Sequence, residues 1–353
     1  MRLGEDTYTD IRWRALILDE AQFVKNHRAK TYQVIRRMER DFTLAMTGTP
    51  LENSLMDLWS LLSLTAPMLY PTPQDFAVDY RTPIEMDGDR VRLAGLRRSI
   101  APFVLRRTKE AVASDLPPKQ EQTLVVPMNP AHRRVYDRHL QRERQRVMGL
   151  LDDLAGNRVA VLSALTTLRQ MALSPALLDP AYAPIEPSKV EVLVEHLTEL
   201  AAEGHRALVF SQFTRYLRQV REALEQAGVS TEYLDGRTRD RQERLTRFRE
   251  GDATAFCISL KAGGFGITLT EADYVYVLDP WWNPAAEAQA VDRTHRIGQD
   301  KPVMVYRLVA ADSIEEKVRD LQQRKRDLFA RVVDEGEMFG SALSVDDLRA
   351  LLA

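Results

Sequence analysis

Between residues 188 and 310, short apolar runs take turns with charged, amphipathic segments. The runs are Ala207–Phe210, Thr231–Leu234, Ala255–Ser259, Tyr274–Leu278 and Val303–Val309, short enough to be buried strands. Helical periodicity fills 189–203, 214–227 and 239–250, and Gly204, Gly228 and Gly251 stand where those helices stop. Strands that are apolar throughout and separated by helices cannot pair as hairpins. They must lie parallel, with helices covering both faces of the sheet. The spacing predicts an α/β unit here, followed by a long charged helix over 313–333.

An earlier stretch repeats the alternation. Trp13–Leu18 reads as a strand, 29–40 as a helix, Phe42–Met46 as a second strand, and Glu52–Leu64 as a helix. Leu55, Leu58, Trp59 and Leu62 fall at core spacing on that last helix, so Trp59 is expected to pack. Pro67, Pro71, Pro73 and Pro83 make 65–90 mostly loop with short helical pieces, and Pro117-Pro118 break the chain. Residues 119–127 read as extended, and 130–154 and the Leu162-to-Leu173 stretch as helices. Pro175, Pro180, Pro184 and Pro187 then form a linker. The expected division is a partial first lobe at 1–115, a helical insertion at 116–187, a second lobe at 188–335 and a tail at 336–353.

With 353 residues the chain is long enough for two or three such bodies. A net charge of −2 leaves any nucleic-acid surface to local patches. One such patch is the helix over 130–154, with Arg133, Arg134, Arg138, Arg142, Arg144 and Arg146. It reads either as a phosphate-tracking helix or as a solvated one pairing with Asp137 and Glu143. The single cysteine, Cys257, excludes an internal disulfide and sits in an apolar run as a small buried hydrophobe. No run of about 18 apolar residues is present, and the N-terminus lacks the apolar core of a signal peptide. Cytoplasmic location is the expectation.

The polar residues gather where the strands end. Asp19 and Glu20 follow the first strand: one carboxylate suits Mg²⁺, and the next suits an attacking water. The same pair also serves as an acidic cap. Thr47-Gly48-Thr49-Pro50 follow the second strand as a turn that lets a ligand come close. Gly263, Gly264 and Gly266 follow a later one, where backbone amides can cradle an anion. Beyond Leu278 comes Asp279-Pro280-Trp281-Trp282-Asn283-Pro284 and a helix. On it Gln289, Arg293 and Arg296 share a face, two guanidinium groups forming a fork for phosphate oxygens. Together these are parts for phosphoryl transfer from a nucleoside triphosphate. One part is absent, since no Gly-x-x-x-x-Gly-Lys-Ser/Thr loop occurs in the sequence.

In family order, these segments resemble the motifs of the Swi/Snf helicase-like ATPases of helicase superfamily two. Asp19-Glu20-Ala21-Gln22 looks like motif II and Leu44-Ala45-Met46-Thr47-Gly48-Thr49-Pro50 like motif III. Leu208-Val209-Phe210-Ser211-Gln212-Phe213 is similar to motif IV, and Ile258-Ser259-Leu260-Lys261-Ala262-Gly263-Gly264 to motif V. Asp279 to Gln299 resembles motif VI. The resemblance implies two RecA-like parallel-sheet lobes, the first lacking its N-terminal part, with residues 119–185 as an insertion between them. It places the phosphate loop upstream of Met1.

The resemblance also implies roles. Asp19 would hold Mg²⁺, and Glu20 would activate water on ATP. Gln22, Thr47, Gly48 and Thr49 would line the nucleotide and couple it to nucleic acid, with Gln289 also near the nucleotide. Arg293 and Arg296 would reach the γ-phosphate across a cleft. Lys261, Gly263, Gly264, Ser211 and Gln212 would meet double-stranded DNA. Proteins on that DNA, such as RNA polymerase, are further expected partners. Departures are Gln22 for the commoner His of motif II, Phe265 within the glycine loop, and Thr268 where the family usually carries Asn. The alternative reading is a catalytically inactive DNA-binding fragment of such an enzyme, and an RNA helicase ranks below both.

Overall fold

The computed structural model describes residues 8–320, apart from 49–53, 106, 108, 114, 151–153, 264–266 and 282–283, together with residue 323. The described residues form two compact units divided between Arg107 and Thr108, rather than near 115. The architecture is α/β with parallel sheets throughout, as the alternation requires.

The first unit holds strands β1 (Trp13–Leu18) and β2 (Arg40–Ala45), joined through helix α1 (Lys30–Arg37). The strands pair parallel, Ala15 opposite Phe42 and Ile17 opposite Leu44. One sheet face carries Leu16, Leu18 and Ala45 onto a cluster with Tyr32, Ile35, Leu61 and Leu64. Helix α2 (Leu55–Thr65) is buried nearly all round, and Trp59 does pack, its indole donating to the Tyr70 carbonyl at 3.0 Å. Glu85 accepts from the Ser54 hydroxyl and the Leu55 amide, placing an anion at the positive end of α2. The 65–90 stretch is not mostly loop. Thr72 caps a helical turn at Pro73–Phe76, and wide helical turns follow through Asp87, with Pro83 at the first position of its turn, where no amide hydrogen is required. Helix α3 (Arg90–Ile100) completes the unit with Leu93 and Leu96 inward.

The second unit is built on a six-stranded sheet: β3 (Lys119–Val126), β4 (Ala207–Ser211), β5 (Thr231–Leu234), β6 (Ala255–Ser259), β7 (Tyr274–Val277) and β8 (Val303–Ala310). Their spatial order is β3-β8-β7-β4-β6-β5, all parallel. Helices α6 (Ser188–Ala202) and α7 (Thr214–Gln226) pack on one face. Helix α8 (Arg241–Glu250) and the chain around Ile267 and Leu269 pack on the other, with Ala290 and Val291 of helix α9 (Pro284–Val291). Cys257 is fully buried between the strands, and burial pushes its thiol up to about 12.

The stretch expected as a separate insertion belongs to this unit. Strand β3 runs beside β8 over eight residue pairs. Helices α4 (Pro130–Met148) and α5 (Leu154–Leu173) carry Val147, Val161, Leu165 and Leu168 onto Ile314 and Val318. The extended run 119–127 was therefore a sheet strand, which periodicity alone does not assign to a sheet. The expected helix over 313–333 is described only through its first turns, and the 336–353 tail lies outside the described residues. No described helix is long and apolar enough to cross a membrane.

Among the described residues, no helix covers one face of the first sheet. Ile17 is 61% exposed and Phe42 57%, with Ala15 and Leu44 beside them. Parallel sheets are normally buried on both faces, and an exposed flat apolar strand pair invites association. Sedimentation of the wild-type chain is therefore expected to show concentration-dependent self-association. Ile17→Lys with Phe42→Lys reduces it without lowering the melting temperature.

Candidate nucleotide and nucleic-acid site

Each unit has its own cluster of polar side chains at the carboxyl ends of its strands. In the first, the backbone ladder continues past the strand ends: the Met46 amide donates to Leu18 and the Ala21 amide to Met46. Asp19 and Glu20 are thereby held opposite Thr47. Asp19 is exposed, and its carboxylate accepts from the Glu20 amide at 2.9 Å. Glu20 adopts the left-handed conformation, φ 49° and ψ 49°, which costs a residue with a Cβ about 1–3 kcal/mol. The short helical turn Ala21–Val24 starts directly after it.

The side chains then form a line. The Thr47 hydroxyl donates to the Gln22 amide oxygen at 2.7 Å, and the Gln22 amide nitrogen donates to Glu20 Oε2 at 2.7 Å. Three residues on two separate loops make one polarised chain ending on a carboxylate. Gly48 follows in an open bend, with nothing within 4 Å of the place a Cβ would take. Thr49 lies outside the described residues.

Among the described residues no group of three or more His, Cys, Asp or Glu side chains is arranged to hold a metal. Asp19 offers one exposed carboxylate. That donor set fits Mg²⁺, which takes one or two carboxylates and fills its remaining positions with water and phosphate oxygens.

In the second unit the motif VI arginines do not share a helical face. Helix α9 stops at Val291, and Gln289 lies on its last turn. The chain then tightens into turns: the Arg293 amide bonds to Ala290, the Thr294 amide to Val291, and the Thr294 hydroxyl also takes the Val291 carbonyl. A threonine competing for the carbonyl that would continue the ladder ends the helix. Arg293 is 1% exposed, with a guanidinium nitrogen donating to the Ile267 carbonyl at 3.3 Å. Arg296 is half-buried and reaches the Asp292 carbonyl and the Thr268 hydroxyl. Thr268, one of the departures from the family pattern, is thus a contact of Arg296. His295 and Gln299 are fasteners. The His295 ring meets the Pro117 carbonyl at 2.8 Å, and the Gln299 amide donates to the carbonyls of Thr270, Ala272 and Thr294. Gly298, at φ 100°, is where a side chain would strain the turn.

Two expected nucleic-acid residues turn inward. Ser211 is fully buried, its hydroxyl donating to Asp279 at 2.5 Å, so in this arrangement it meets no ligand. The Gln212 amide hydrogen is also directed at Asp279. Gly263 ends a short helical turn that starts at Leu260. Gly264 and the Lys261 side chain lie outside the described residues.

Behind Asp279 lies a buried set of charges that sequence reasoning did not find. Arg169 of α5 lies 3.7 Å from Asp279 and donates to the Pro280 carbonyl. Lys189 of α6 pairs with Glu315 and donates to the carbonyls of Leu278 and Leu308 at 2.8 and 2.9 Å. Burial pushes the Asp279 and Glu315 carboxyls up and the Lys189 ammonium down, while the two charge signs facing each other oppose those shifts. In the sequence, Lys189 and Glu315 look like ordinary charges at the starts of helices. Only a topology that carries both helix starts to the same strand ends sets them apart.

Residues 2–177 match the SNF2-related domain and residues 188–298 the helicase conserved C-terminal domain. The chain belongs to the Swi/Snf family. It is 33% identical over 95% of its length to the human SWI/SNF-related matrix-associated actin-dependent regulator of chromatin subfamily A member 1, covering 33% of that protein. To the putative ATP-dependent helicase/translocase YwqA of Bacillus subtilis it is 33% identical over 97% of its length, covering 38%. The chain thus spans 33% and 38% of the length of these two curated relatives. Among solved structures it is similar to a Sulfolobus solfataricus SWI2/SNF2 ATPase core in complex with dsDNA. There the TM-score is 0.55 and the identity 29%, covering 98% of this chain and 74% of that one. The C-terminal part of the Fun30 ATPase domain gives a TM-score of 0.50 at 27% identity, covering 59% of this chain and 89% of that one.

Two predictions arise from this Swi/Snf chain. At Glu20, glycine relieves the left-handed backbone whereas a β-branched residue aggravates it. Glu20→Val is expected to unfold more easily than Glu20→Gly by about 2 kcal/mol in urea titration of the first unit. Lys189→Met strands a buried carboxylate and is expected to cost about 3–5 kcal/mol in the second unit. Adding Glu315→Leu to the same chain restores most of that loss, measured by calorimetry.

Proposed function

We propose that this chain carries the water-activating and arginine-bearing parts of an ATP-driven double-stranded DNA translocase of the chromatin-remodelling type. The observation that carries the reading is the Thr47–Gln22–Glu20 line, which joins motif III to the motif II carboxylate. In this reading Glu20 accepts a proton from the water that attacks the γ-phosphate. Asp19 holds Mg²⁺, which supplies charge neutralisation at the phosphates when bound. Thr47 and Gln22 set the orientation of Glu20, so a displacement at Thr47 alters the base. Of the two motif VI arginines, Arg296 is the more accessible. Arg293 meets a phosphate only after the chain at Ile267 yields. Partners on the same duplex, RNA polymerase among them, and a cytoplasmic setting belong to the same proposal.

A second reading is a DNA-binding fragment that hydrolyses nothing. The absence of any Gly-x-x-x-x-Gly-Lys-Ser/Thr loop from the sequence favours it. The two readings separate in one experiment on the full chain: fluorescent-ATP titration with Mg²⁺, and phosphate release with and without duplex DNA. The first reading expects release stimulated by duplex DNA more than by duplex RNA. It also expects Glu20→Gln to lower that release by about 10²-fold or more with nucleotide binding intact. No nucleotide binding at millimolar concentration sinks the first reading for this chain and leaves the second.

A further inference from the structure

Helix α4 has six arginines and two acids among its 19 residues. Its inward side is Val135, Tyr136, Glu143 and Val147. Both acids face arginines of their own: Asp137 pairs with Arg133 at 3.5 Å, and Glu143 with Arg146 at 3.4 Å. Of the other four, Arg144 lies beside Lys317, which leaves Arg134, Arg138 and Arg142. They recur every fourth residue, all are exposed, and none has an ion-pair partner among the described residues. On an ordinary solvated helix, acids would be interleaved at these spacings.

The local field around the helix is positive. His139 is held below the usual imidazole range, first by burial and then by Arg142 and Arg138. Lys317, on the last described helix, is lowered by burial and then by the nearby Arg144. His139 and Lys317, on different elements, thus each have arginines of this helix as close neighbours.

We infer that the Arg134–Arg138–Arg142 stripe is a second contact for duplex DNA, made to the phosphates of one strand. Rise along the helix separates successive arginines by about 6 Å. Phosphates of one strand advance about 3.4 Å along the duplex axis, so successive arginines meet roughly every second phosphate. A regular row of guanidinium groups on a straight rod suits a regular polyanion, whereas acidic protein surfaces have no fixed charge spacing. The inference rests on the DNA-binding reading above and adds to it a surface outside the conserved motifs. The stripe contacts backbone only and adds affinity without sequence preference.

The test is fluorescence anisotropy of the full chain with a labelled duplex over a salt series. The variant is Arg134→Gln with Arg138→Gln and Arg142→Gln. The control is Arg218→Gln with Arg221→Gln and Arg247→Gln, which removes three arginines already paired with Asp235, Glu225 and Glu243. Circular dichroism establishes that both fold. The stripe variant is expected to flatten the slope of log K against log salt by about 2.7, three contacts at about 0.9 each. The control is expected to leave the slope within about 0.9 of wild type, and three Arg→Lys changes in the stripe keep it. An unchanged slope in the stripe variant, with wild type still binding, overturns the inference and spares the DNA-binding reading. No binding by the wild-type chain overturns both. An equal loss on poly-glutamate shows a general polyanion surface and overturns the assignment to duplex DNA.

Discussion

Lys189 is the point on which the second unit turns. One ammonium group bonds the Leu278 and Leu308 carbonyls, near the ends of two adjacent strands, and pairs with Glu315 at the start of the helix that follows β8. Arg169 does the same one step away, joining α5 to Asp279 and the Pro280 carbonyl. Two cations and two anions so deeply buried cost much in lost hydration, and a well-packed apolar set of the same size is commonly as stable. What such a set supplies is register. An ammonium that must satisfy three acceptors fits in one place only, whereas leucines tolerate sliding. The chain that leaves this place is Pro280-Trp281, which leads to the arginines. The position of motif VI is thus fixed from behind, by a buried set of charges.

The first unit shows the opposite economy. Among the described residues its sheet has two strands and apolar residues on both faces, and a helical layer lies on one of them. Its polar chemistry is nevertheless well held, because the strand-end ladder and the Gln22 amide carry it rather than the core. A strained Glu20 persists there since five backbone and side-chain hydrogen bonds fix the two loops around it.

Legibility followed the physics. Strands β4 to β8 were readable because a buried parallel strand is mostly apolar, and the runs of β4, β5 and β6 each follow a glycine-ended helix. Strand β3 was readable as extended but not as part of the second sheet: Lys119-Gln120-Glu121-Gln122 is polar, as an edge strand allows, and its partner lies about 180 residues away. The motif II and III residues announced themselves because carboxylates and hydroxyls at strand ends are chemically conspicuous. The end of α9 did not. Counting at 3.6 residues per turn carried Arg293 and Arg296 along a helix that Thr294 ends. The buried charges were invisible for a different reason. A lysine earns its place in a core only through acceptors contributed by distant strands, and no local pattern records them.

Gln22 and Thr268 give these departures from the family pattern a common sense. An amide at position 22 both donates and accepts, so it spans Thr47 and Glu20 without changing protonation. An imidazole in that place would do so only as a neutral tautomer, and would lose its acceptor on taking a proton. The amide therefore removes one titratable group from the line. Thr268 presents a hydroxyl to Arg296, while its carbonyl accepts from Arg249 at 2.8 Å, so one short residue joins α8 to the arginine turn. Arg296 donates to the Asp292 carbonyl at 3.1 Å and to the Thr268 hydroxyl at 3.4 Å, and Arg293 to the Ile267 carbonyl at 3.3 Å, so bond length does not distinguish the two. Burial does: Arg293 is 1% exposed and Arg296 half-buried, so of the pair Arg296 is the one that solvent reaches.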